Sequence, residues 1–177
     1  MTATGEPAAI PPDTKDWTWV VELGCPECGW QAPAPTAVAG RVEATIPRWA
    51  DVLQRPGAGV RTDPTTWSAL EYGCHVRDVC VIFGVRLARM LAEDDPTFAN
   101  WDQDEAARAD RYHTQVPATV AGEYAEAARH TAALFATVTG EAWQRPGTRS
   151  NGSVFTVATL ATYFLHDLEH HLSDVNG

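Results

Sequence analysis

Apolar residues recur at helical spacing in four long segments, and the breaks between them carry proline or glycine. Val38, Val42, Ile46, Trp49, Val52 and Leu53 form the first stripe. Trp67, Leu70, Val79, Phe83, Leu87 and Met90 or Leu91 form the second; Val120, Tyr124, Ala127, Ala128, Thr131, Leu134, Phe135 and Val138 form the third. Val154, Val157, Leu160, Phe164, Leu168 and Leu172 form the fourth. A 3.6-residue period means that one face of each segment seeks a core. The breaks are Pro33-Ala34-Pro35, Arg55-Pro56-Gly57-Ala58-Gly59, Pro96, Gly140 and Arg145-Pro146-Gly147. No segment alternates convincingly as a strand does, and no repeat is present. The pattern predicts an all-α fold: a four-helix bundle over residues 36–177, preceded by an irregular N-terminal segment.

Helix boundaries follow from caps and breakers. The first helix is expected from Thr36 to about Leu53, kinked at Pro47. The second is expected from Asp63, as cap before Pro64, to about Leu91. The third runs from Pro117 to Thr139, and the fourth follows a Ser153 cap. The polar, acidic stretch from Pro96 to Gln115, with a short helix over Asp104–Tyr112, gives the bundle a long crossover.

A chain of 177 residues with 45% hydrophobic residues can bury one core without disulfides. Its net charge of −10, with 13 Lys and Arg together, argues against a nucleic-acid or anionic-membrane surface. No apolar run approaches the roughly 20 residues of a membrane span. Met1–Pro7 lacks the basic and apolar regions of a signal peptide, so a cytoplasmic protein is expected. Its four cysteines are then thiols or metal ligands rather than disulfides. Residues 1–15, rich in Pro, Ala and Thr, read as a disordered tail. Residues 16–35 read as an extended segment anchored by Trp17 and Trp19, with a knuckle at Cys25-Pro26-Glu27-Cys28-Gly29. Three readings of Cys25 and Cys28 stay open: a redox pair, half of a zinc site completed elsewhere in the fold, or an inert turn. Cys74 and Cys80 read as buried apolar fillers.

The chemistry concentrates in Phe164-Leu165-His166-Asp167-Leu168-Glu169-His170-His171-Leu172. His166 and His170 lie one helical turn apart, so their imidazoles can converge, and a divalent metal is the usual occupant of such a point. His171 lies about 100° from His170 around the axis and reads as solvent-facing or as a proton carrier. His75 sits on the second helix with Glu71 and Asp78 as neighbours. His130 reads as solvated.

The segments Trp67-Ser68-Ala69-Leu70-Glu71-Tyr72-Gly73-Cys74-His75-Val76-Arg77-Asp78 and Tyr163–His171, with the acidic Phe98–Asp104 linker between them, resemble the DinB-like (YfiT-like) superfamily over about residues 36–175. The resemblance implies a four-helix bundle, often dimeric. It also implies a divalent metal on three side chains, one from the second helix and two at helical spacing on the fourth. Carried over by position, these are His75, His166 and His170. Glu71, Asp78 and Asp167 are then the carboxylates placed to accept the other N–H of a ligating imidazole. Three protein ligands leave coordination positions open, and Zn²⁺, Ni²⁺, Mn²⁺ or Fe²⁺ suits imidazole, with zinc preferred. Activities in the wider group are thiol-dependent. The resemblance therefore implies a metal-dependent S-transferase or isomerase acting on a small electrophile, with a low-molecular-weight thiol such as mycothiol as co-substrate. Arg77, Arg145 and Arg149 are candidates to receive a carboxylate. The competing expectation is a non-catalytic metal-binding module, in which Cys25 and Cys28 act as a redox or zinc sensor.

Overall fold

The computed structural model describes residues 8, 10–13 and 15–177; most of the expected N-terminal tail lies outside them. Among the described residues there are six α-helices: α1 (Val20–Leu23), α2 (Val38–Leu53), α3 (Ala69–Ala92), α4 (Gln103–Ala109), α5 (Pro117–Ala136) and α6 (Val157–Asp174). The four long ones form the bundle. Helix α5 packs along α3 and α2, and α6 packs against α3 and α2. The ring order is therefore α2–α5–α3–α6, and the pairs α2/α3 and α5/α6, each successive in sequence, sit on the diagonals. The long acidic connection joins neighbours, α3 and α5. The connections that cross the bundle are residues 54–68 and 137–156.

Most residues of the apolar stripes enter the core as expected, whereas Val154, ahead of α6, is 70% exposed. Trp49, Val79, Leu87, Tyr124, Phe135, Leu160, Phe164, Leu165, Leu168 and Leu172 are all buried. Phe164 stacks between Phe83 and Phe135, at 5.4 and 5.6 Å between ring centroids. Pro47 lies inside α2 without ending it.

Two helix starts differ from expectation, each because a competing turn uses the expected cap. Asp63 accepts from the backbone N and the hydroxyl of Thr65, at 2.7 and 2.6 Å, closing a local turn instead of opening a helix. Helix α3 begins after Ser68, whose Oγ accepts from Glu71 N while Ser68 N donates to Glu71 Oε2 at 2.8 Å. This reciprocal box satisfies two orphan donors. Likewise Ser153 belongs to a hairpin, and Thr156 with Thr159 forms the box that opens α6.

That hairpin corrects the strand-free expectation. β2 (Pro146–Arg149) pairs antiparallel with β3 (Val154–Thr156), and β1 (Thr97–Phe98) pairs parallel to β2. The sheet joins the 93–116 and 137–156 connections at one end of the bundle. Gly147 is required there: a Cβ would lie 2.7 Å from Met90 Cγ and 2.9 Å from Phe98 Cε1.

The N-terminal segment also differs from the extended form expected. Trp17–Trp19 makes a 3₁₀ turn that continues into α1, and Gly24 ends it at φ +70°. The chain then folds the Cys25–Trp30 knuckle, in which Cys25 N donates to Trp30 O at 2.8 Å.

Candidate metal centre

Helix α6 carries two histidine-bearing pairs, each one turn long and offset from the other by about 100°. The structure sends them to different partners. The donor atoms of His75, Asp167 and His171 lie within 4.8 Å of one another, and so do those of Cys25, Cys28, His166 and His170. The grouping of His75 with His166 and His170 is thus divided. The azimuth of α6 in the bundle turns 167 and 171 toward α3, and 166 and 170 toward the N-terminal segment.

In the first cluster, His75 Nε2 lies 3.0 Å from Asp167 Oδ1, and His171 Nε2 lies 3.6 Å from the same oxygen. His171 Nδ1 donates to Asp174 Oδ2 at 2.8 Å, which leaves the Nε2 lone pair facing His75 and Asp167. His171 is therefore half-buried within the cluster rather than turned to solvent. His75 is fully buried, flanked by Trp101 (centroids 5.4 Å, nearly parallel) and Trp67 (5.3 Å). Its Nδ1 has no hydrogen-bond partner. Burial opposes ionisation of Asp167, but the nearby His75 outweighs it and holds the carboxyl below its usual range.

These residues fit a divalent metal. Ligand bonds of about 2.0–2.2 Å place neighbouring donor atoms about 3.0–3.6 Å apart. The two separations to Asp167 Oδ1 lie at the two ends of that range. Two imidazoles and one carboxylate on one side leave the opposite positions open.

Glu71 and Asp78 do not reach His75. Glu71 pairs with Arg61, Arg61 Nε donating to Oε2 at 2.9 Å, and completes the Ser68 box. Asp78 accepts from Arg77 Nε at 2.8 Å and from the Tyr112 hydroxyl. Both carboxylates fasten the entry and outer face of α3. Of the three arginines singled out, Arg77 is held by Asp78 and Glu123, and Arg145 by the carbonyls of Met90 and Glu93. Arg149 lines the cleft above the clusters.

The cleft has a volume of about 470 Å³, with Trp17, Trp101, Arg149, Tyr163, Asp167 and His171 on its wall. Trp17, Trp101 and Tyr163 were not singled out as site residues by sequence reasoning. Trp101 sits within the acidic linker that carries part of the resemblance, and that was the available signal. Burial, more than the neighbouring Asp167, raises the Tyr163 phenol, so it stays protonated at neutral pH. Asp104, also on the wall, is held above the usual carboxylate range by burial and by Asp102.

In the second cluster, Cys25 Sγ lies 3.7 Å from His170 Nδ1 and Cys28 Sγ lies 3.8 Å from His166 Nε2. All four cysteines are free thiols. Burial raises the Cys28 thiol to about 11 and, with His170, lowers His166 to about 4. Without a cation, the pair is thus a protonated thiol beside a neutral imidazole, which is not the state of a reactive thiolate. Cys74 and Cys80 are buried on α3 as apolar fillers.

The family model of the DinB superfamily matches residues 57–175. The chain belongs to the DinB superfamily. The matched span includes His75, Asp167 and His171 and leaves out Cys25 and Cys28. Among solved structures, YfiT from Bacillus subtilis aligns with a TM-score of 0.66 at 18% identity, covering 78% of this chain and 81% of that one. That protein is described as "a probable metal-dependent hydrolase with an unusual four-helix bundle topology", and this DinB chain shares its fold. No curated protein matches the sequence. No helix among the described residues is long and apolar enough to cross a membrane.

Proposed function

We propose that this chain is a metal-dependent enzyme of hydrolytic type, with His75, Asp167 and His171 holding the metal. The observation that carries the reading is the convergence of these three donors, from two helices, with Asp167 and His171 on the wall of a cleft of about 470 Å³ and His75 buried behind them. A divalent ion bound there supplies Lewis acidity and lowers the pKa of a ligand in its open position. The chain's own residues do the rest. Asp174 fixes the His171 tautomer. Trp67 and Trp101 hold the His75 ring and keep water from its faces. Arg149 receives an anionic group of a small polar substrate, and the protonated Tyr163 hydroxyl donates to a carbonyl or leaving-group oxygen.

The description of YfiT supports water as the nucleophile. Attack by a low-molecular-weight thiol such as mycothiol is the second reading. It is favoured by the cleft, which is many times the roughly 30 Å³ that a water occupies in the liquid. Two imidazoles and a carboxylate accept Zn²⁺, Ni²⁺, Mn²⁺ or Fe²⁺. Homodimerisation belongs to the same reading, with exposed Val81 and Val85, one turn apart on α3, as residues an interface would cover. Light scattering on the eluting protein checks that.

The test is elemental analysis of wild type, His171→Ala and Asp167→Ala, followed by turnover on a panel of esters, amides and thiol-reactive electrophiles, with and without added thiol. The expected result is one metal fewer in each variant and turnover lost with it. Wild type and both variants binding equal metal would overturn the reading.

A further inference from the structure

We infer that Cys25, Cys28, His166 and His170 form a second, closed metal site, a Cys₂His₂ zinc centre that straps the N-terminal segment onto α6. This site does not depend on the reading of the His75 cluster and shares none of its ligands.

Geometry carries the inference. With Zn–S bonds of about 2.3 Å and Zn–N bonds of about 2.0–2.1 Å, a tetrahedral site places sulfur and nitrogen about 3.6 Å apart. The two Sγ···N separations are 3.7 and 3.8 Å, and all four donor atoms lie within 4.8 Å of one another. The set is two soft thiols and two imidazoles, the donor combination of closed structural zinc sites. Each half is built in the form zinc needs. The two cysteines sit in a tight knuckle closed by the Cys25–Trp30 bridge, with Gly29 at φ +72°. The two histidines sit one turn apart on the same face of α6. Cys25 is buried, and His166 and His170 are nearly so.

The surroundings hold the halves in register. Trp30 edges onto His166 with centroids 5.2 Å apart, and Trp17 lies 4.9 Å from His170. Glu169, between the two histidines, accepts from Trp30 Nε1 at 2.5 Å and from Arg41 Nε at 2.9 Å. Glu169 thereby joins the knuckle, α2 and α6 at one residue. On binding, both thiols release their protons to solvent and become thiolates. Four protein ligands fill a tetrahedron, so the site is structural, and what it fixes is Trp17 as a wall of the cleft.

Cobalt(II) reports the site directly, because thiolate ligation gives an intense charge-transfer absorption in the near ultraviolet. The full-length chain is reduced, stripped of metal and titrated with Co²⁺, then back-titrated with Zn²⁺. Wild type is expected to show the thiolate band with tetrahedral visible bands, both bleached by Zn²⁺. His171→Ala keeps the band, the double variant Cys25→Ser/Cys28→Ser loses it, and the double variant His166→Ala/His170→Ala weakens it at least tenfold in affinity. Zinc is also expected to protect Cys25 and Cys28 of wild type from alkylation, read by mass spectrometry, which requires no variant to fold. Three outcomes would overturn the inference: no thiolate band in reduced wild type, alkylation of both cysteines unaffected by zinc, or a cobalt affinity of the thiolate site unchanged by loss of both histidines. Loss of metal from the His75 cluster alone, seen as His171→Ala retaining the band at one metal fewer, bears only on the preceding proposal.

Discussion

Replacing Cys25 and Cys28 together by Ser tests what attachment of the N-terminal segment contributes to stability. The two Cys–His contacts span 145 and 138 positions. In the chain-entropy model, closing a loop of that length removes about 17 cal/mol/K from the unfolded ensemble, or about 5 kcal/mol at 25 °C. Both links enclose nearly the same loop, so the second adds little. The unfolded chain keeps both cysteines and binds some metal through them, which reduces the net effect to about 3 kcal/mol. In a domain of this size that corresponds to a fall in Tm of about 6–12 °C. Thermal unfolding followed by far-ultraviolet circular dichroism measures it, with saturating zinc and again after chelation. The zinc-loaded wild type should melt that far above the double variant, and chelation should lower wild type by much more than it lowers the variant. Melts within about 1 °C of each other in zinc, or equal chelation shifts, would refute the reasoning.

Three further outcomes follow from contacts elsewhere. Burial pushes the Glu71 carboxyl up, and hydrogen bonds from Arg61 and Ser68 outweigh it, leaving the group below its ordinary value of 4.5. The unfolded chain then binds more protons than the folded one between those values. Stability should fall as pH drops below about 4.5, Glu71→Gln should flatten that dependence, and Glu71→Ala should cost about 3 kcal/mol by urea titration, because it leaves Arg61 unpaired. Gly24→Ala forces a side chain into a backbone region nearly exclusive to glycine, with its Cβ 2.7 Å from Trp30 O. A loss of about 2 kcal/mol should appear as a lower Tm by scanning fluorimetry. Phe164→Ala empties the stack between Phe83 and Phe135 and should cost about 3–5 kcal/mol by the same urea titration.

The four bundle helices were legible because stripes such as Val120, Tyr124, Ala128 and Phe135 bury the residues their spacing selects. Their starts were less so: Asp63 and Ser68, or Ser153 and Thr156, are equally good caps, and contacts beyond the local sequence decide between them. Strands of two to four residues are too short to show an alternation. The histidines of α6 stand out in the sequence as candidate ligands, yet their partition does not, since both one-turn pairs are equally spaced and only the docked orientation separates them. The partner of the Cys25–Cys28 knuckle lies more than a hundred positions away, and nothing near it in sequence names it.

The placement of the two clusters on α6 makes that helix an axle with stops on adjacent faces. Side-chain atoms ride about 5–6 Å from a helix axis, so a turn of only about 10° carries them about 1 Å, and a displacement of that size costs an active site about a hundredfold in rate. Ligands gripping His166 and His170 resist that same turn for Asp167 and His171, one residue further along. An N-terminal segment with no part in the matched DinB span thereby limits the angular play of the residues at the cleft.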